Sequence, residues 1–272
     1  MPGMRLSVCS IAWRGTSGYG QQAPVVPFAE LLPRIKGWGY DGIELWWPHI
    51  EGLDAAGLSG LREQLRTAGL TVPMISAYYN FTGTPTEAAA SLALGHRVLA
   101  AAKLLGATGI RIFTGKKRSR GADAGDWRQC CSALRELAVT GRDAAAPHGG
   151  ITLAAEIHDW NLMDSIEGCE RLVQQVDHPG FGFIFHPSLF APDPVPALHR
   201  LRPAVRHVHA TNGAGGLAVG PVDWKRLVAA FRAVDYRGYL SVEWFGADAD
   251  AVAAREAGFL RAALGRASSA AR

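Results

Sequence analysis

The chain has 272 residues and a mass of 29.0 kDa, with 48% hydrophobic and 19% charged residues. That apolar share excludes a disordered chain, and no apolar run reaches the roughly 18 residues that a membrane-spanning helix needs, so no transmembrane segment is expected. A formal net charge of +4 is too small to indicate a nucleic-acid surface. The four cysteines form no C-x-x-C pair, and the N-terminus lacks signal-peptide features. We therefore expect a cytoplasmic protein that binds neither membrane nor nucleic acid.

Eight short apolar runs, most of them entered through a glycine, recur along the chain. In order they are Arg5–Ala12, Gly42–Trp46, Thr71–Ala77, Gly109–Phe113, Ile151–Ile157, Phe181–Phe185, Val205–His209 and Gly238–Val242. Their C-terminal ends are on average about 33 residues apart, the length of one strand, one crossover helix and two loops. Because the runs are nearly continuous rather than alternating, both faces of each strand should be covered.

The segments between these runs carry signals for helix ends. The capping box Thr84-Pro85-Thr86-Glu87 predicts a helix that continues to about Leu105. Asp126, Asp164 and Asp223 are predicted to begin three more helices, since aspartate is a favoured N-cap residue. Glycines stand where helix C-caps are expected, at Gly37, Gly69, Gly106, Gly149 and Gly180.

Eight strand–helix units without a linker predict an α/β protein, a single (β/α)8 TIM barrel whose one domain spans residues 1–272. A doubly wound sheet is the alternative, but the glycine-rich phosphate fingerprint that such sheets often carry is missing. In a barrel, polar residues at the C-terminal ends of the strands are the first candidates for chemistry.

Strands 5 to 8 each present one metal-capable side chain at that end. These four residues are Glu156, His186, His209 and Glu243. A single histidine or glutamate there is more often a hydrogen-bonded loop residue, but four on successive strands should converge on one mouth. Two carboxylates and two imidazoles suit a divalent first-row ion and leave open positions for a substrate.

At these residues the chain resembles the xylose isomerase-like TIM barrels, the sugar phosphate isomerase/epimerase group that includes inosose isomerases and ketose 3-epimerases. The resemblance covers nearly the whole chain. Besides the segments around His209 and Glu243, it rests on Tyr40-Asp41-Gly42-Ile43-Glu44, Glu156-x-His158, Asp164-Ser165, His178-Pro179, Val222-Asp223-Trp224 and Tyr236-x-Gly238. In that family the metal ligands from strands 5 to 8 are Glu, Asp, His and Glu, which correspond here to Glu156, His186, His209 and Glu243.

The chain departs from the family pattern at strand 6. The family motif is usually Asp-Pro-x-His, whereas this chain has His186-Pro187-Ser188-Leu189. If His186 binds the ion, the negative charge of the ligands drops from three to two, and the additional nitrogen favours Mn, Fe, Co or Zn over Mg. If it does not bind, three ligands remain.

The resemblance implies a divalent-metal-dependent isomerase or epimerase that acts on a sugar, a cyclitol or a related hydroxy-ketone through an enediolate. Glu156 and Glu243 would then be both metal ligands and the acid/base pair, and manganese is the first candidate for the ion. A small carbohydrate-like molecule is the expected substrate. Related barrels are often dimers or tetramers, so a homo-oligomer is possible by analogy.

Five further residues are candidates for substrate contacts. His158 lies two residues beyond Glu156 and should project from the same face of the strand. Arg111 on strand 4 is able to clamp an anionic group, or it is a buried, paired structural charge. Glu44 near the end of strand 2 is a candidate partner for a sugar hydroxyl, or part of a structural salt bridge. Trp13 and Tyr78 follow strands 1 and 3 and are predicted to line an aromatic wall.

Three other functions are alternatives to the isomerase. A nuclease on this barrel needs an Asp-x-His pair after strand 7 and histidines on the early strands, and this chain has neither. A lyase of the same family, either a 3-dehydroshikimate-type dehydratase or a C-glycoside deglycosidase, removes the same proton and is not separated from an isomerase by the sequence. A degenerate sugar-binding barrel is the third alternative, although the two retained glutamates argue against it.

Overall fold

The computed structural model describes residues 3–15, 23–143 and 150–266. The strands are β1 (Arg5–Cys9), β2 (Gly42–Trp46), β3 (Ile75–Ser76), β4 (Gly109–Ile112), β5 (Thr152–Glu156), β6 (Phe181–Phe185), β7 (Val205–Ala210) and β8 (Tyr239–Val242). The helices are α1 (Phe28–Gly37), α2 (Ala55–Ala68), α3 (Pro85–Leu105), α4 (Ala124–Asp143), α5 (Ile166–Val176), α6 (Val195–Leu201), α7 (Trp224–Ala233) and α8 (Ala249–Ala263).

The eight strands close into a parallel barrel in chain order. Each strand pairs with the next, and β8 pairs with β1 through Arg5 opposite Tyr239 and Val8 opposite Val242. This closure confirms the predicted (β/α)8 fold and excludes the doubly wound sheet, whose two edge strands would stay unpaired. The assignment of all of residues 1–272 to one domain stays a prediction.

Strands 1 and 3 are shorter than the sequence predicted. After Cys9 the chain turns into a short 3₁₀ helix, Ser10–Trp13, instead of continuing as a strand to Ala12. The predicted strand Thr71–Ala77 is reduced to Ile75–Ser76 and one isolated bridge between Thr71 and Gly42. Pro73 lies between the bridge and the strand and has no N–H to donate, so the regular pairing is interrupted there. The other strand ends differ from the prediction by at most one residue.

The helix starts at Thr84 and Asp223 are confirmed, and two others are displaced. Thr84 forms the complete capping box with Glu87. Helix α4 begins two residues before the predicted Asp126, because Asp123 accepts hydrogen bonds from the amides of Gly125 and Asp126. The side chain of Asp126 bonds back to the amide of Asp123. Helix α5 is capped by Ser165, whose side chain accepts from the Gly168 amide, and not by the preceding Asp164.

Two of the five predicted glycine C-caps are confirmed. Gly69 and Gly106 have φ of 64° and 72° and end α2 and α3 in the left-handed conformation that glycine adopts without a steric penalty. Gly37 is instead the last residue of α1, and Asp177 with φ of 44° ends α5 three residues before Gly180. Both predictions were wrong, because the N–H groups of Trp38 and Asp177 bond the last carbonyls of α1 and α5 instead. Gly149 lies outside the described residues.

The helices cover the outer faces of the strands. Helix α3 packs between α2 and α4 and buries one face, including Val98 and Ala102. By length and hydropathy alone, α3 is also the one helix in the described ranges that would be able to cross a membrane. The core helix of a barrel meets the same criterion, because one of its faces is apolar by necessity.

The inside of the barrel changes from apolar to polar along its axis. Met74, directly before β3, forms an apolar cluster with Ala154 of β5 and Ile184 of β6. Glu44, Arg111, Glu156, His207 and His209 are also buried, and each has a relative exposure of 2% or less. Buried charged groups are tolerated only when they are paired or bind ions, so their contacts indicate where the chemistry takes place.

Candidate metal centre

The structure brings the four predicted metal-binding residues together at the C-terminal end of the barrel. Glu156 ends β5, His186 follows β6, His209 lies in β7 and Glu243 follows β8. Each offers one ligand atom, and these atoms lie within 4.8 Å of one another. Closure of the barrel places the ends of these consecutive strands side by side, so residues up to 87 positions apart become neighbours.

The spacing of the ligand atoms fits a single divalent ion. His209 Nδ1 is 3.2 Å from Glu156 Oε1 and 3.6 Å from Glu243 Oε2. His186 Nε2 is 3.9 Å from Glu156 Oε1 and 4.0 Å from Glu243 Oε2. Ligands bound about 2.1 Å from one ion are separated by about 3.0–3.5 Å, so small movements complete the shell. Glu156 Oε1 is the oxygen that faces both histidines, whereas Glu156 Oε2 is paired with Arg111.

His186 is arranged as a neutral ligand. Its Nδ1 is 2.7 Å from the Ser188 hydroxyl oxygen, while Nε2 faces the two glutamates. When Nδ1–H donates to Ser188, the lone pair of Nε2 is free for an ion. Burial lowers the pKa of His186 to about 4, against the opposing charge of Glu156, so the ring is neutral at pH 7. The departure from the family aspartate therefore leaves a group that is able to bind metal.

His209 lies at the centre of the carboxylates. Its Nδ1 faces Glu156 and Glu243, and its Nε2 is 3.2 Å from Glu44 Oε1. Burial by itself would lower the pKa of His209, but the surrounding glutamate charges outweigh it and raise the pKa well above its usual value. In the ion-free protein His209 thus carries a proton that an incoming cation must replace.

The two candidate catalytic glutamates differ in their surroundings. Burial raises the pKa of both carboxyls, but for Glu156 the charges of His209 and Arg111 prevail and lower it well below its usual value. For Glu243, burial and the nearby negative charge of Glu156 prevail over His209 and raise the pKa to about 7. Two neighbouring carboxyls with pKa values driven apart are typical of acid/base sites.

Arg111 lies beside both glutamates. Its Nη1 is 3.1 Å from Glu156 Oε2 and 3.6 Å from Glu243 Oε1. The guanidinium carbon is 4.8 Å and 4.7 Å from the ring centres of Tyr78 and Phe113. Arg111 is buried, and its Nε and Nη2 make no hydrogen bond of normal geometry with the residues that the structure describes. The guanidinium is therefore held by the two glutamates and by a side-chain hydrogen bond with Tyr78.

Glu44 lies deeper than the predicted substrate-binding position. It is completely buried, and its carboxylate contacts the Ser76 hydroxyl, His207 Nε2 and the Ser241 hydroxyl in addition to His209. With four donors around two oxygens, no acceptor position is open for a sugar hydroxyl. The structure supports the structural alternative for Glu44 rather than the substrate contact.

The other three candidates have different locations. His158 is partly exposed, its Nδ1 is 2.7 Å from Asp159 Oδ1, and its ring centre is 6.0 Å from that of His186. Tyr78, with 40% exposure, stacks on Phe113 beside the guanidinium of Arg111. Both therefore line the mouth.

Trp13 is not placed in this aromatic wall. Its ring stacks on Trp38, its Nε1–H donates to Asp250 in α8, and its exposure is 2%. These contacts make Trp13 part of the outer layer, because the chain turns into the 3₁₀ helix after Cys9.

Sequence reasoning missed the groups that hold the ligands. Ser188 lies one proline beyond His186, and Ser76 and Ser241 lie on β3 and β8 beside Glu44. A signal was present for Ser241, which precedes Glu243 by two residues and so projects from the same face of the strand. His207 has the same relation to His209.

A family model described as xylose isomerase-like TIM barrel matches residues 32–263. A 3-dehydroshikimate dehydratase from Bacillus anthracis is 22% identical over 275 residues, which cover 90% of this chain and 92% of the relative. The crystal structure of a probable 3-DHS dehydratase from the same organism has a TM-score of 0.79 at 22% identity and covers 94% of this chain and 98% of its own. An L-ribulose 3-epimerase structure has a TM-score of 0.81 at 18% identity, with coverage of 96% and 95%. At these identities the solved structures show likeness of fold.

Proposed function

Since the chain belongs to the xylose isomerase-like TIM barrel family, we propose that it is a divalent-metal-dependent isomerase or epimerase of a sugar, a cyclitol or a related hydroxy-ketone. The observation that carries this proposal is the convergence of Glu156, His186, His209 and Glu243 within 4.8 Å. The similarity in fold to an L-ribulose 3-epimerase supports the same assignment. These donors suit Mn²⁺ first, with Fe²⁺, Co²⁺, Zn²⁺ or Mg²⁺ as alternatives.

A divalent ion bound by these residues would polarise a substrate carbonyl and its adjacent hydroxyl. Glu156 and Glu243 come from β5 and β8 and approach the site from different sides. In our proposal, one glutamate removes the proton beside the carbonyl and the other returns a proton. Each such positioned group contributes roughly 10²–10⁴-fold to the rate. The charges of His209 and Arg111 keep Glu156 ionised by lowering its pKa.

Hydrogen exchange tests this proposal directly. The Mn²⁺-loaded protein is incubated with a panel of ketoses and inososes in D₂O, and the products are analysed by NMR. We expect deuterium beside the carbonyl of at least one substrate, and a loss of roughly 10²-fold or more in Glu156→Gln and Glu243→Gln. A protein that binds Mn²⁺ but exchanges no substrate proton across the panel contradicts the isomerase and leaves a dehydratase or a binding barrel.

A dehydratase of the same family is a second candidate, and Arg111 is the observation that favours it. A buried guanidinium beside the two candidate catalytic glutamates suits a carboxylate on the substrate, and a 3-dehydroshikimate dehydratase is 22% identical to the chain. The lyase would remove the same proton but expel water.

The two candidates differ in their response to a change at Arg111. With dehydroshikimate, a dehydratase gives loss of water, and Arg111→Gln raises KM for this acid far more than for an uncharged ketose. An isomerase gives deuterium incorporation without loss of water, and Arg111→Gln affects neutral and acidic substrates to a similar extent. Arg111→Lys is the matched control, because it keeps the charge but loses the planar fork.

We also propose a small carbohydrate-like substrate and a cytoplasmic location. All four cysteines are buried and free of disulfides, which fits a reducing compartment. The absence of nucleic-acid and membrane partners and the possible homo-oligomer stay predictions.

A further inference from the structure

Glu44 contacts the side of His209 that faces away from the candidate ion. We infer that Glu44 is a positioning residue, which fixes His209 in the tautomer and orientation that direct Nδ1 to the metal. This inference rests on the proposed metal site. It assigns to a strand-2 carboxylate a role that acts through His209 and requires no contact with the substrate.

The geometry at His209 defines which nitrogen faces the ion. Nε2 is 3.2 Å from Glu44 Oε1, whereas Nδ1 is 3.2 Å from Glu156 Oε1 and 3.6 Å from Glu243 Oε2. An ionised carboxylate only accepts hydrogen bonds, so the contact with Glu44 requires a hydrogen on Nε2. In the neutral ring this leaves the lone pair on Nδ1, the atom that faces the other two ligand carboxylates.

Glu44 is itself held from three other strands. Its Oε1 accepts from the Ser76 hydroxyl of β3 and from His209 of β7, and its Oε2 accepts from the Ser241 hydroxyl of β8 at 2.7 Å and faces His207 Nε2 of β7 at 3.1 Å. Glu44 belongs to β2 and is completely buried. A carboxylate with all its neighbours acting as donors has one stable orientation, so it restrains the His209 ring. Metal-binding histidines commonly depend on such an outer carboxylate, whose loss weakens metal binding 10–100-fold.

A second ion held by Glu44, His207 and His209 is the competing explanation of the same cluster, since their ligand atoms also lie within 4.8 Å of one another. The nitrogen–oxygen distances of 3.1 Å and 3.2 Å are those of direct hydrogen bonds. The two serine hydroxyls further occupy the remaining acceptor positions of Glu44. The number of bound ions separates the two explanations.

Metal titration is the first test. Binding of Mn²⁺ is measured by the EPR signal of free Mn²⁺ for the wild type, for Glu44→Gln and for Glu256→Gln, with circular dichroism to verify that each variant is folded. Glu256 is a matched control, because it is also a buried glutamate, but its partners are the Leu217 amide and Arg255. We expect one ion per chain in the wild type, 10–100-fold weaker binding in Glu44→Gln, and binding within about threefold of wild type in Glu256→Gln.

Imidazole NMR is the second test and reports the tautomer itself. In Zn²⁺-loaded, ¹⁵N-histidine-labelled protein, His209 is identified by the signal that disappears in His209→Gln. We expect a slowly exchanging Nε2–H proton on His209 in the wild type and in Glu256→Gln, and its rapid exchange with water in Glu44→Gln.

The outcomes separate this inference from the proposed function. Unchanged Mn²⁺ affinity with an unchanged Nε2–H signal in Glu44→Gln, or two ions per wild-type chain, would overturn the positioning role while the metal enzyme stands. A wild-type protein that binds no divalent ion would overturn the proposed function, and the inference with it.

Discussion

The histidine at position 186 shows how one residue changes the chemistry of the candidate centre. A histidine in place of the family aspartate gives the candidate ligand set one negative charge fewer. The Nδ1 atom of His186 has the Ser188 hydroxyl as its partner. Arg111 adds a positive charge beside the same glutamates. In our proposal, a divalent ion held by His186 would be neutralised by one carboxylate fewer, and together with Arg111 this favours an anionic substrate.

Removal of the His186 imidazole is expected to weaken metal binding by more than about 100-fold, since the loss of even an outer partner of a ligand costs 10–100-fold. His186→Ala and His186→Asp are compared by elemental analysis after purification in Mn²⁺ and by titration. The aspartate variant, which restores the family ligand, is expected to keep one ion per chain. Equal metal content in His186→Ala and the wild type would remove His186 from the ligand set.

The affinity for the ion is expected to rise with pH through about pH 7, where Glu243 loses its proton, and to level off only where His209 has also lost the proton that the ion replaces. Glu243, whose pKa is raised to about 7 by burial, and His209, whose pKa is raised by the surrounding glutamates, both hold protons in the ion-free protein at low pH. An ion must displace these protons, so acid weakens binding. Calorimetric titrations of Mn²⁺ in two buffers of different ionisation enthalpy measure the protons released. A pH-independent affinity without proton release contradicts the assignment of these ligands.

The start of helix α5 shows that the capping residue is not always the one that the sequence pattern indicates. Asp164 resembles the N-cap of α5, yet its carboxylate accepts from the Ser119 hydroxyl and connects the loop after β4 to the loop after β5. Ser165 performs the capping instead. Aspartate and serine are both favoured N-cap residues. Ser165 is the cap here because its side chain faces the first turn of α5, whereas Asp164 faces Ser119.

Ser165→Ala is expected to lower the free energy of unfolding by about 1 kcal/mol, because the Gly168 amide loses its side-chain acceptor. Chemical denaturation monitored by circular dichroism measures the change. Ser165→Asp is the matched control and is expected to retain most of the stability, since aspartate is an equally good cap. A loss of the same size in both variants would show that the cap is not the cause.

At the scale of the whole molecule, barrel closure joins β8 to β1 and brings the last four strand ends around one point. The candidate ligands come from the ends of four consecutive strands, while Glu44 and Arg111 from the first half of the chain contact them. An ion at the centre would therefore join residues that only the closed barrel brings together, and so stabilise only the folded chain.

Saturation with the ion is expected to raise the free energy of unfolding by about 2.7 kcal/mol at a free concentration of 100 times Kd. The measurement is the thermal midpoint of unfolding with Mn²⁺ and with a chelator. Glu156→Gln serves as the control and should show a much smaller shift. If the variant were stabilised as much as the wild type, the ion would bind elsewhere.

The sequence by itself determined the architecture and the four candidate ligands. Strand spacing and apolar runs are local patterns that can be read from the sequence. In a barrel of parallel strands, the C-terminal ends of all strands lie at the same end of the barrel. Glu156, His186, His209 and Glu243 therefore followed from their positions relative to their own strands. The errors concerned the ends of single elements. Pro73 shortens β3, and Asp123 starts α4 earlier than predicted.

Only the tertiary structure decided what surrounds those ligands. Glu44 contacts His207, His209 and Ser241, which lie 163, 165 and 197 positions further along the chain. Trp13 donates a hydrogen bond to Asp250, 237 positions away, and therefore does not line the mouth of the barrel. Such pairings depend on the direction of each side chain and on the register between strands. They are set by packing and by the pairing of buried charges across the closed barrel, and no single segment of the sequence encodes them.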